Sequence, residues 1–591
     1  MSHNAQSTDD LHNASDRSWN WIPWTLVPLI FILFASHPTR RFYFDGVMFA
    51  TYIEHGPWER LFNPHHLLYT YVMYILHNFF ESVSGRDIKA LYMMQWINIF
   101  LGSIGVALLW RLISRLVEDK GLALLVTLLG CFSFTWWHYS TDADVYIIST
   151  LFLLLAADRL ETVIRHREPS NADFVVIGIF QALSVLFHQL NVFWVFCVMG
   201  CLIYIPTMGT SRVRWRWWWI YFISFLVPVA VAYLGVGIFA LGLKNPGEFV
   251  YWITEYGHES GYWVSSWKEI PYLTLNGYLM AFFHRWALGP KLLEINLIQA
   301  LEEGRFWKGI LKKVLGYYSI GLLFYMYLAA LYNLRKYQVQ YPKKAVFCFS
   351  WLLPYVVFQL FFMPTNYFYK LFIFVPLLAI FAWYGQIVVK LEKKWIKWTL
   401  FLIFILGVAT RDLILAALVL LFAIVFEIFQ SRKDLVYRWG LFILVTFVGL
   451  YNFYAGIMPE SKLANNPEVV QALRLDEYFK SGDMLIFEGG SDYIDGRIIT
   501  ALTEVDLVTL TRLYEMPESE FDSIIDSHVG DGGEVYIHPN ITENTAQFRE
   551  KVEESGVSQE ELTSILDKYY LEPGFMLDGR IFYKLAGKEA G

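Results

Sequence analysis

Residues 37–80 read HPTRRFYFDGVMFATYIEHGPWERLFNPHHLLYTYVMYILHNFF, and this stretch decides which fold the sequence predicts. An apolar run comes directly before it, so Asp45 is expected where a spanning helix meets the membrane interface. A carboxylate beside a membrane is costly unless it has a function or a partner. We therefore interpret Asp45 either as a functional acid or as a structural one that caps a helix from Gly46 or pairs with Arg40 or Arg41.

The composition of the whole chain agrees with a membrane location. Of its 591 residues, 56% are hydrophobic and 17% are charged, whereas soluble domains carry about 25% charged residues. The formal net charge of -7 lacks the basic excess that nucleic acid requires. The sequence therefore predicts a membrane protein with no nucleic-acid partner.

About thirteen stretches are long and apolar enough to span a bilayer, which needs roughly 20 apolar residues per helix. Two further stretches, 66–80 and 271–287, are interrupted by polar residues and are predicted at the interface or as re-entrant pieces. The predicted fold is an all-α polytopic membrane protein. The predicted spans begin near residues 22, 91, 121, 145, 173, 190, 216, 314, 344, 370, 395, 413 and 438.

Lysine and arginine are concentrated in alternate loops, and such loops face the cytoplasm. The loops around 139–144, 188–191, 364–370 and 410–412 carry almost no positive charge apart from Lys370 and Arg411, and they are predicted to face outward. With an odd number of spans the amino terminus is cytoplasmic and the carboxy-terminal part is extracytoplasmic. The protein is predicted to be a multi-pass protein of the plasma membrane, which is the inner membrane in a cell that has two membranes.

The chain divides into three predicted regions: a disordered cytoplasmic leader at 1–20, a transmembrane catalytic domain at 21–457 whose first extracytoplasmic loop is 37–90, and a small extracytoplasmic α/β domain at 458–591. In the last region, strands are predicted at Met484–Glu488, Val505–Leu510 and Glu534–His538, with helices near 516–528 and 543–555. Arg580–Lys584 is predicted to be an edge strand.

A second outward loop carries acidic residues in WWHYSTDADVYIISTLFLLL, residues 136–155. For Asp142 we favour a helix cap or solvent exposure, and for Asp144 a helix cap and a functional acid are both open. Other polar residues interrupt apolar segments on the same predicted side, where a hydrogen-bonded core histidine or a snorkelling lysine is the alternative. These residues are His188, Asn191, His284, Arg285, Asn366, Tyr367 and Lys370.

The order of these features resembles the C-type (GT-C) membrane glycosyltransferase superfamily, which includes protein O-mannosyltransferases and the lipid A aminoarabinose transferase. Asp45 in FDGVMFA matches the acid after the first span, and Asp144 in DADVYIIST matches the acid after the third. NPHHLLYTYVMYIL resembles the proline-containing segment, although His65 and His66 replace the second proline and its neighbour. HQLN at 188–191 and PTNYFYKLF at 364–372 resemble two later motifs.

The resemblance implies transfer of a sugar from a polyprenyl phosphate or diphosphate to a hydroxyl of a protein, glycan or lipid, with Asp45 as general base. Asp144 would orient a cation or, with Asp45, bind a divalent metal. No cofactor is firmly implied, and a metal such as Mg²⁺ or Mn²⁺ stays an open alternative. The implied substrate-binding residues are His65, His66, His188, Arg285, Asn366, Tyr367 and Lys370.

A transporter or flippase of a lipid-linked or small polar substrate is the main rival function. Transporters usually place polar groups near the bilayer midplane and are often built from duplicated halves. This sequence groups its polar residues toward one interface and has no internal repeat, so we favour the glycosyltransferase.

Overall fold

The computed structural model describes residues 21–285, 342–390 and 433–588. Within these ranges it leaves out 118, 166–168, 206–209, 259, 488–493, 504, 511–512, 514–515, 531, 546–547, 550–565 and 567–568. The leader at 1–20 and the spans predicted near 314, 395 and 413 lie outside the described residues.

Helices account for most of the first part of the chain, as its long apolar runs predict. They are α1 (Ile22–Ser36), α2 (Phe44–Glu54), α3 (Tyr69–Ser84), α4 (Ala90–Leu116), α5 (Lys120–Cys131), α6 (Phe134–Thr141), α7 (Tyr146–Arg165), α8 (Asn171–Phe187), α9 (Val195–Tyr204), α10 (Ser211–Gly235), α11 (Pro246–His258), α12 (Ile270–Phe282), α13 (Pro342–Phe361), α14 (Phe374–Lys390) and α15 (Lys433–Asn452). Short 3₁₀ turns at Pro64–His66, Gln189–Trp194 and Phe368–Ile373 connect some of them.

Local sequence signals set several helix ends. Ser170 and Asp173 form a capping box at the start of α8, in which the Ser170 hydroxyl accepts from the Asp173 amide and the Asp173 carboxylate accepts from the Ser170 amide. Asp119 caps α5 by accepting from the Leu122 amide at 3.0 Å. Gly85, with φ +63°, ends α3 in the left-handed conformation that glycine adopts without strain.

Four described helices are long and apolar enough to cross a membrane, at Ala90–Leu116, Ser211–Ala240, Pro342–Phe361 and Arg438–Ser461. A fifth candidate is the pair α5 and α6, which is bent by 58°. Shorter apolar helices occur at Ile22–Ser36, Asn171–Phe187, Gln189–Tyr204, Leu273–Phe282 and Phe368–Trp383. The all-α membrane architecture agrees with the prediction, while the total of about thirteen spans stays a prediction.

The carboxy-terminal part contains a five-stranded sheet with the order β2-β1-β3-β5-β4. Its strands are β1 (Met484–Phe487), β2 (Asp506–Thr509), β3 (Val535–Ile537), β4 (Tyr569–Leu577) and β5 (Arg580–Lys588), and its helices are α16 (Met458–Ser461), α17 (Pro467–Leu475), α18 (Ile494–Leu502), α19 (Glu518–Gly530) and α20 (Pro539–Thr542). β1 pairs in parallel with β2 and β3, and β5 is antiparallel to both β3 and β4. The small α/β layer predicted there is present.

Two features of the sheet differ from the prediction. Arg580–Lys584 belongs to β5, which lies between β3 and β4 and is therefore not an edge strand. The edge strand is β4, which was not predicted from the sequence because Pro573 and Gly574 interrupt its strand pattern. Proline is tolerated at a sheet edge because no neighbouring strand needs its missing amide hydrogen. The helix predicted at 543–555 lies largely outside the described residues.

The chain forms two compact units. The first, here called the membrane unit, comprises 1–34, 100–140 and 146–456, and the second, here called the loop unit, comprises 35–99, 141–145 and 457–591. The division into a leader, a transmembrane domain and a carboxy-terminal domain stays a prediction. Each unit is described by itself below.

Candidate active site

Asp45 lies in the first turn of α2, in the loop unit. The helix begins at Phe44, and the residue at its N-cap is Tyr43, which makes no side-chain capping hydrogen bond. Asp45 is thus inside the helix and is not its cap. The amino-terminal end of a helix carries partial positive charge, so a carboxylate there is favoured electrostatically.

Gly46 lets α2 approach a second chain segment closely. A Cβ atom at this position would lie 2.9 Å from the carbonyl oxygen of Ala143. Real Cβ atoms almost never come so close to backbone, so any larger residue would push the two segments apart. The glycine that follows Asp45 therefore brings the acidic segment 141–145 against the start of α2.

Side-chain amides and a phenol fix the backbone of segment 141–145. The Asn98 amide donates to the carbonyl oxygens of Asp142 at 2.9 Å and Asp144 at 2.6 Å. The Tyr69 hydroxyl donates to the carbonyl oxygen of Ala143 at 3.0 Å. Gln95 binds the carbonyl oxygens of Thr39 and Thr141. Buried carbonyls satisfied in this way hold a loop in one conformation.

Asp142 is fully buried, so the predicted alternative of solvent exposure is wrong. Its Oδ1 accepts from the Ala143 amide at 2.7 Å, and its Oδ2 accepts from the Tyr43 amide at 3.2 Å. Because Tyr43 is the N-cap residue of α2, Asp142 supplies a capping interaction to that helix from a distant part of the chain. Among the described contacts, Asp142 thus binds the start of α2 and not the helix α7 that follows it in the sequence.

Burial raises the pKa of Asp45 from 3.8 to about 6. The guanidinium of Arg497 works against this rise, and the carboxylate of Asp142 adds to it. Desolvation penalises the charged form of an acid, an opposite charge favours it, and a like charge disfavours it. Part of the Asp45 surface nevertheless stays accessible. A carboxylate with these properties is ionised at neutral pH and still basic enough to accept a proton.

Arg497 reaches this place from α18, in the carboxy-terminal part of the loop unit. Its guanidinium carbon lies 4.5 Å from the centre of the Phe44 ring, and the Thr51 hydroxyl donates to its carbonyl oxygen at 3.4 Å. The charge partner of Asp45 is therefore Arg497 and neither of the neighbouring arginines that the sequence suggested. Arg40 instead lies over the Tyr92 ring at 5.0 Å.

The predicted residues Asp144, His65 and His66 also belong to the loop unit. Asp144 is buried, and its Oδ1 accepts from the Val145 amide at 2.6 Å. His66 is buried with its ring 5.7 Å from that of Phe49, one turn beyond Asp45 on α2. His65 is partly exposed, and its amide donates to Asn63 at 2.9 Å. The loop unit thus gathers the first-loop histidines and the acids around α2.

Glu54 is a second acid of the first loop, with a different role. It ends α2, and its carboxylate accepts from the Ala90 amide at the start of α4. Burial raises the pKa of Glu54 to about 8. A group with this pKa is largely protonated at neutral pH, which makes Glu54 a poorer general base than Asp45.

In the membrane unit, Lys370 is fully buried in the 3₁₀ turn Phe368–Ile373. Its ammonium donates to Gln359 Oε1 at 2.8 Å and lies 5.0 Å from the centre of the Tyr278 ring. The snorkelling alternative for Lys370 is therefore wrong, because its charge does not reach solvent. A buried cation whose partners among the described residues are neutral can still bind an anion strongly.

The other predicted residues of the membrane unit occupy different surroundings. His188 is buried among Tyr146, Tyr369 and Phe372, with ring separations of 5.3, 5.4 and 4.8 Å. Asn366 is buried, and within the described residues its Oδ1 accepts no hydrogen bond. Tyr367 has its ring 5.8 Å from Phe134 and 6.2 Å from Tyr139. Arg285 is exposed and adopts the left-handed conformation, with φ 50°.

The structure resembles that of ArnT from Cupriavidus metallidurans bound to undecaprenyl phosphate, with a TM-score of 0.52 at 12% sequence identity over 96% of this chain and 98% of that chain. The chain therefore shares the fold of ArnT, as the predicted resemblance to the GT-C superfamily implies. The structure of the same enzyme in the apo state gives a TM-score of 0.50 at 11% identity over the same shares of the two chains.

An oligosaccharyltransferase from Archaeoglobus fulgidus tethered with an acceptor peptide aligns over 96% of this chain and 75% of that chain, with 14% identity and a TM-score of 0.45. No protein-family model and no curated protein sequence matches the chain. The GT-C resemblance predicted from the order of the motifs is thus confirmed by the fold. The sequence comparisons give it no support.

The GT-C fold raises the question of a metal at the two acids matched to the motifs. Among the described residues, no group of three or more histidine, cysteine, aspartate or glutamate side chains is placed to hold a metal ion. Of the two acids, Asp45 is partly accessible, and Asp144 is buried with its Oδ1 accepting from the Val145 amide at 2.6 Å. Among the described residues, a metal bound by Asp45 and Asp144 would therefore have no third ligand of these types, and metal binding by the two acids stays a prediction.

Proposed function

We propose that the chain is a glycosyltransferase that moves a sugar from a polyprenyl phosphate or diphosphate to a hydroxyl group on the extracytoplasmic side of the membrane. The observation that carries the proposal is Asp45, a desolvated but partly accessible carboxylate between Asp142 and Arg497, in a chain with the GT-C fold. Support also comes from ArnT, a protein of the same fold that binds undecaprenyl phosphate.

In the proposed reaction, Asp45 acts as the general base. The acceptor oxygen attacks the anomeric carbon and forms the new glycosidic bond while its proton moves to an Asp45 carboxylate oxygen. The bond between the anomeric carbon and the phosphate oxygen breaks, and its electron pair leaves with the lipid phosphate. General base catalysis contributes roughly 10²- to 10⁴-fold. A single displacement inverts the anomeric configuration, so a product with retained configuration would contradict this mechanism.

For the anionic leaving group, Lys370 is the strongest candidate among the predicted substrate-binding residues. Among the described residues its buried ammonium donates to the neutral Gln359 side chain, and a phosphate oxygen would be a stronger partner. His188, Asn366 and Tyr367 remain proposed contacts of the donor, as do His65, His66 and Arg285. No step of the proposed reaction passes through a metal.

The proposal is tested with purified protein in lipid nanodiscs. A panel of undecaprenyl-phosphate sugars carrying mannose, glucose or aminoarabinose is supplied with cell-envelope extract as acceptor, and the release of undecaprenyl phosphate is measured. We expect turnover of at least one donor and its loss in Asp45→Asn. Asp578→Asn is the matched control, because Asp578 forms an exposed ion pair with Arg474.

The same preparation distinguishes the rival transport function. If sealed vesicles containing the protein move a labelled lipid-linked sugar between leaflets without releasing lipid phosphate, and Asp45→Asn leaves this movement intact, the glycosyltransferase proposal is wrong. Release that proceeds equally well in Asp45→Asn would remove Asp45 from the base role and require another acid.

A further inference from the structure

The carboxy-terminal part of the chain contributes directly to the surroundings of Asp45. α18 packs along α2, where the Thr51 hydroxyl donates to the Val47 carbonyl oxygen at 3.0 Å and shares this proton with the Arg497 carbonyl oxygen at 3.4 Å. Two turns earlier on α2, the Arg497 guanidinium lies over the ring of Phe44, the residue next to Asp45. The backbone and the side chain of Arg497 therefore both contact α2.

The contact of Arg497 with α2 affects the charges around Asp45. The charged groups that act on the Asp45 carboxylate are Asp142, from segment 141–145, and Arg497, from α18. His66, from the turn before α3, packs on the same helix through Phe49. Asp142 repels the Asp45 charge, so Arg497 is the cation that offsets both this repulsion and burial. Arg40 is placed over Tyr92.

We propose that Arg497 is a positioning residue for Asp45, through which the carboxy-terminal domain holds the Asp45 carboxylate charged and oriented at the start of α2. The inference rests on the proposed function for its catalytic consequence, and on the packing of α18 against α2 for the contact itself. It assigns the carboxy-terminal domain a part in the active site, where the motifs of the sequence give it none.

The catalytic consequence is tested by steady-state kinetics on the undecaprenyl-phosphate sugar that the wild-type protein uses best. We expect Arg497→Ala to lower kcat by 10-fold or more while the KM for the donor changes little, because Arg497 acts on the base and touches no donor. Arg497→Lys should recover part of kcat, and added guanidinium should restore Arg497→Ala. A raised KM with unchanged kcat would overturn the proposal.

Arg474→Ala is the matched control, because Arg474 lies on α17 of the same domain and pairs with exposed Asp578 at 2.5 Å. We expect it to keep wild-type kcat and to show no response to guanidinium. Equal losses of kcat in Arg474→Ala and Arg497→Ala would mean that the domain acts only as a whole, which contradicts the role of Arg497.

A second measurement needs no turnover. In a double-mutant cycle of apparent Tm, Arg497→Gln should lower Tm by several degrees more in the wild-type background than beside Asp45→Asn, because the effects of interacting charges are not additive. Additive changes in Tm would show that the two residues do not interact and would end the inference. If no donor turns over but the cycle is non-additive, the proposed function fails while the electrostatic interaction of Arg497 with Asp45 stands.

Discussion

The acidic limb of the pH–rate profile is the sharpest consequence of the Asp45 surroundings. Burial raises the pKa of this carboxyl from 3.8 to about 6, and a general base works only in its ionised form. Activity should therefore be present above pH 6 and be lost as the pH falls through 6. Removing the like charge of Asp142 should lower the pKa of Asp45, so Asp142→Asn should move the limb to lower pH.

The magnitude follows from the ionised fraction. With a pKa of about 6, the carboxylate is about 90% ionised at pH 7 and about 10% at pH 5, so kcat/KM should fall about tenfold between these values. An aspartate at its ordinary value of 3.8 would stay more than about 90% ionised over the same range. The fall in kcat/KM between pH 7 and pH 5 therefore distinguishes a raised pKa of Asp45 from an ordinary one.

The assay is the release of undecaprenyl phosphate in nanodiscs from pH 4.5 to 8.5, fitted for kcat/KM. A glycosyl phosphodiester donor stays ionised over this range, so the limb belongs to the protein. The position of the limb does not depend on the amount of folded protein, so Asp142→Asn is informative even if it lowers yield. A flat profile between pH 7 and 5, or a limb that moves upward in Asp142→Asn, would refute the reasoning.

Three further predictions concern single residues. Asp45→Asn should lower turnover by roughly 10²-fold or more. It should also raise the apparent Tm above pH 6, because a pKa raised from 3.8 to about 6 means that the charged carboxylate destabilises the folded state by up to about 3 kcal/mol. This destabilisation is absent below pH 3.8, where the carboxyl is protonated in both states. Lys370→Met should weaken the binding of undecaprenyl phosphate at least 10-fold. The protein should stay folded, because a buried charge can be replaced by an apolar side chain at little cost in stability. The control Lys343→Met should leave the binding unchanged. Gly46→Ala should reduce kcat by separating α2 from Ala143, whereas Gly440→Ala, with no atom within 4 Å of the added Cβ, should keep wild-type activity.

These three predictions fail in different ways. A lower Tm for Asp45→Asn at pH 7.5 would mean that the carboxylate is stabilising and not strained. Unchanged binding of undecaprenyl phosphate by Lys370→Met, measured against undecaprenol as the lipid without phosphate, would remove Lys370 from the phosphate role. Wild-type kcat in Gly46→Ala would show that the close approach at Ala143 is not needed for the reaction.

The membrane fold was predictable because long apolar runs leave few alternatives in lipid. The small α/β domain was also predictable at the level of strands, since β1, β2 and β3 coincide with short apolar runs. β4 was missed because Pro573 and Gly574 interrupt it, and without β4 the strand β5 looked like an edge. Strand order depends on which distant runs pair, and hydrophobic pattern does not encode that choice.

The candidate site was predictable only in part. Asp45 was found because a carboxylate at a membrane interface is costly, and the same argument applied to Gln95 and Asn98 in the apolar α4 would have indicated the residues that hold segment 141–145. Arg497 carried no such signal, because an arginine in a polar domain is ordinary. Its role arises from packing between residues more than 400 positions apart.

The balance between burial and charge at Asp45 also has a physical rationale. An arginine held in a direct ion pair would depress the pKa of Asp45, as opposite charges within a few ångströms usually do by about 1 to 3 units. The result would be a weak base. Here the effect of Arg497 is exceeded by burial, so the pKa of Asp45 rises and a basic carboxylate results. If Arg497 sets this balance from a separate helix, then replacing Thr51, whose hydroxyl donates to the Arg497 carbonyl oxygen, by valine should shift the pH limb slightly without removing any charge.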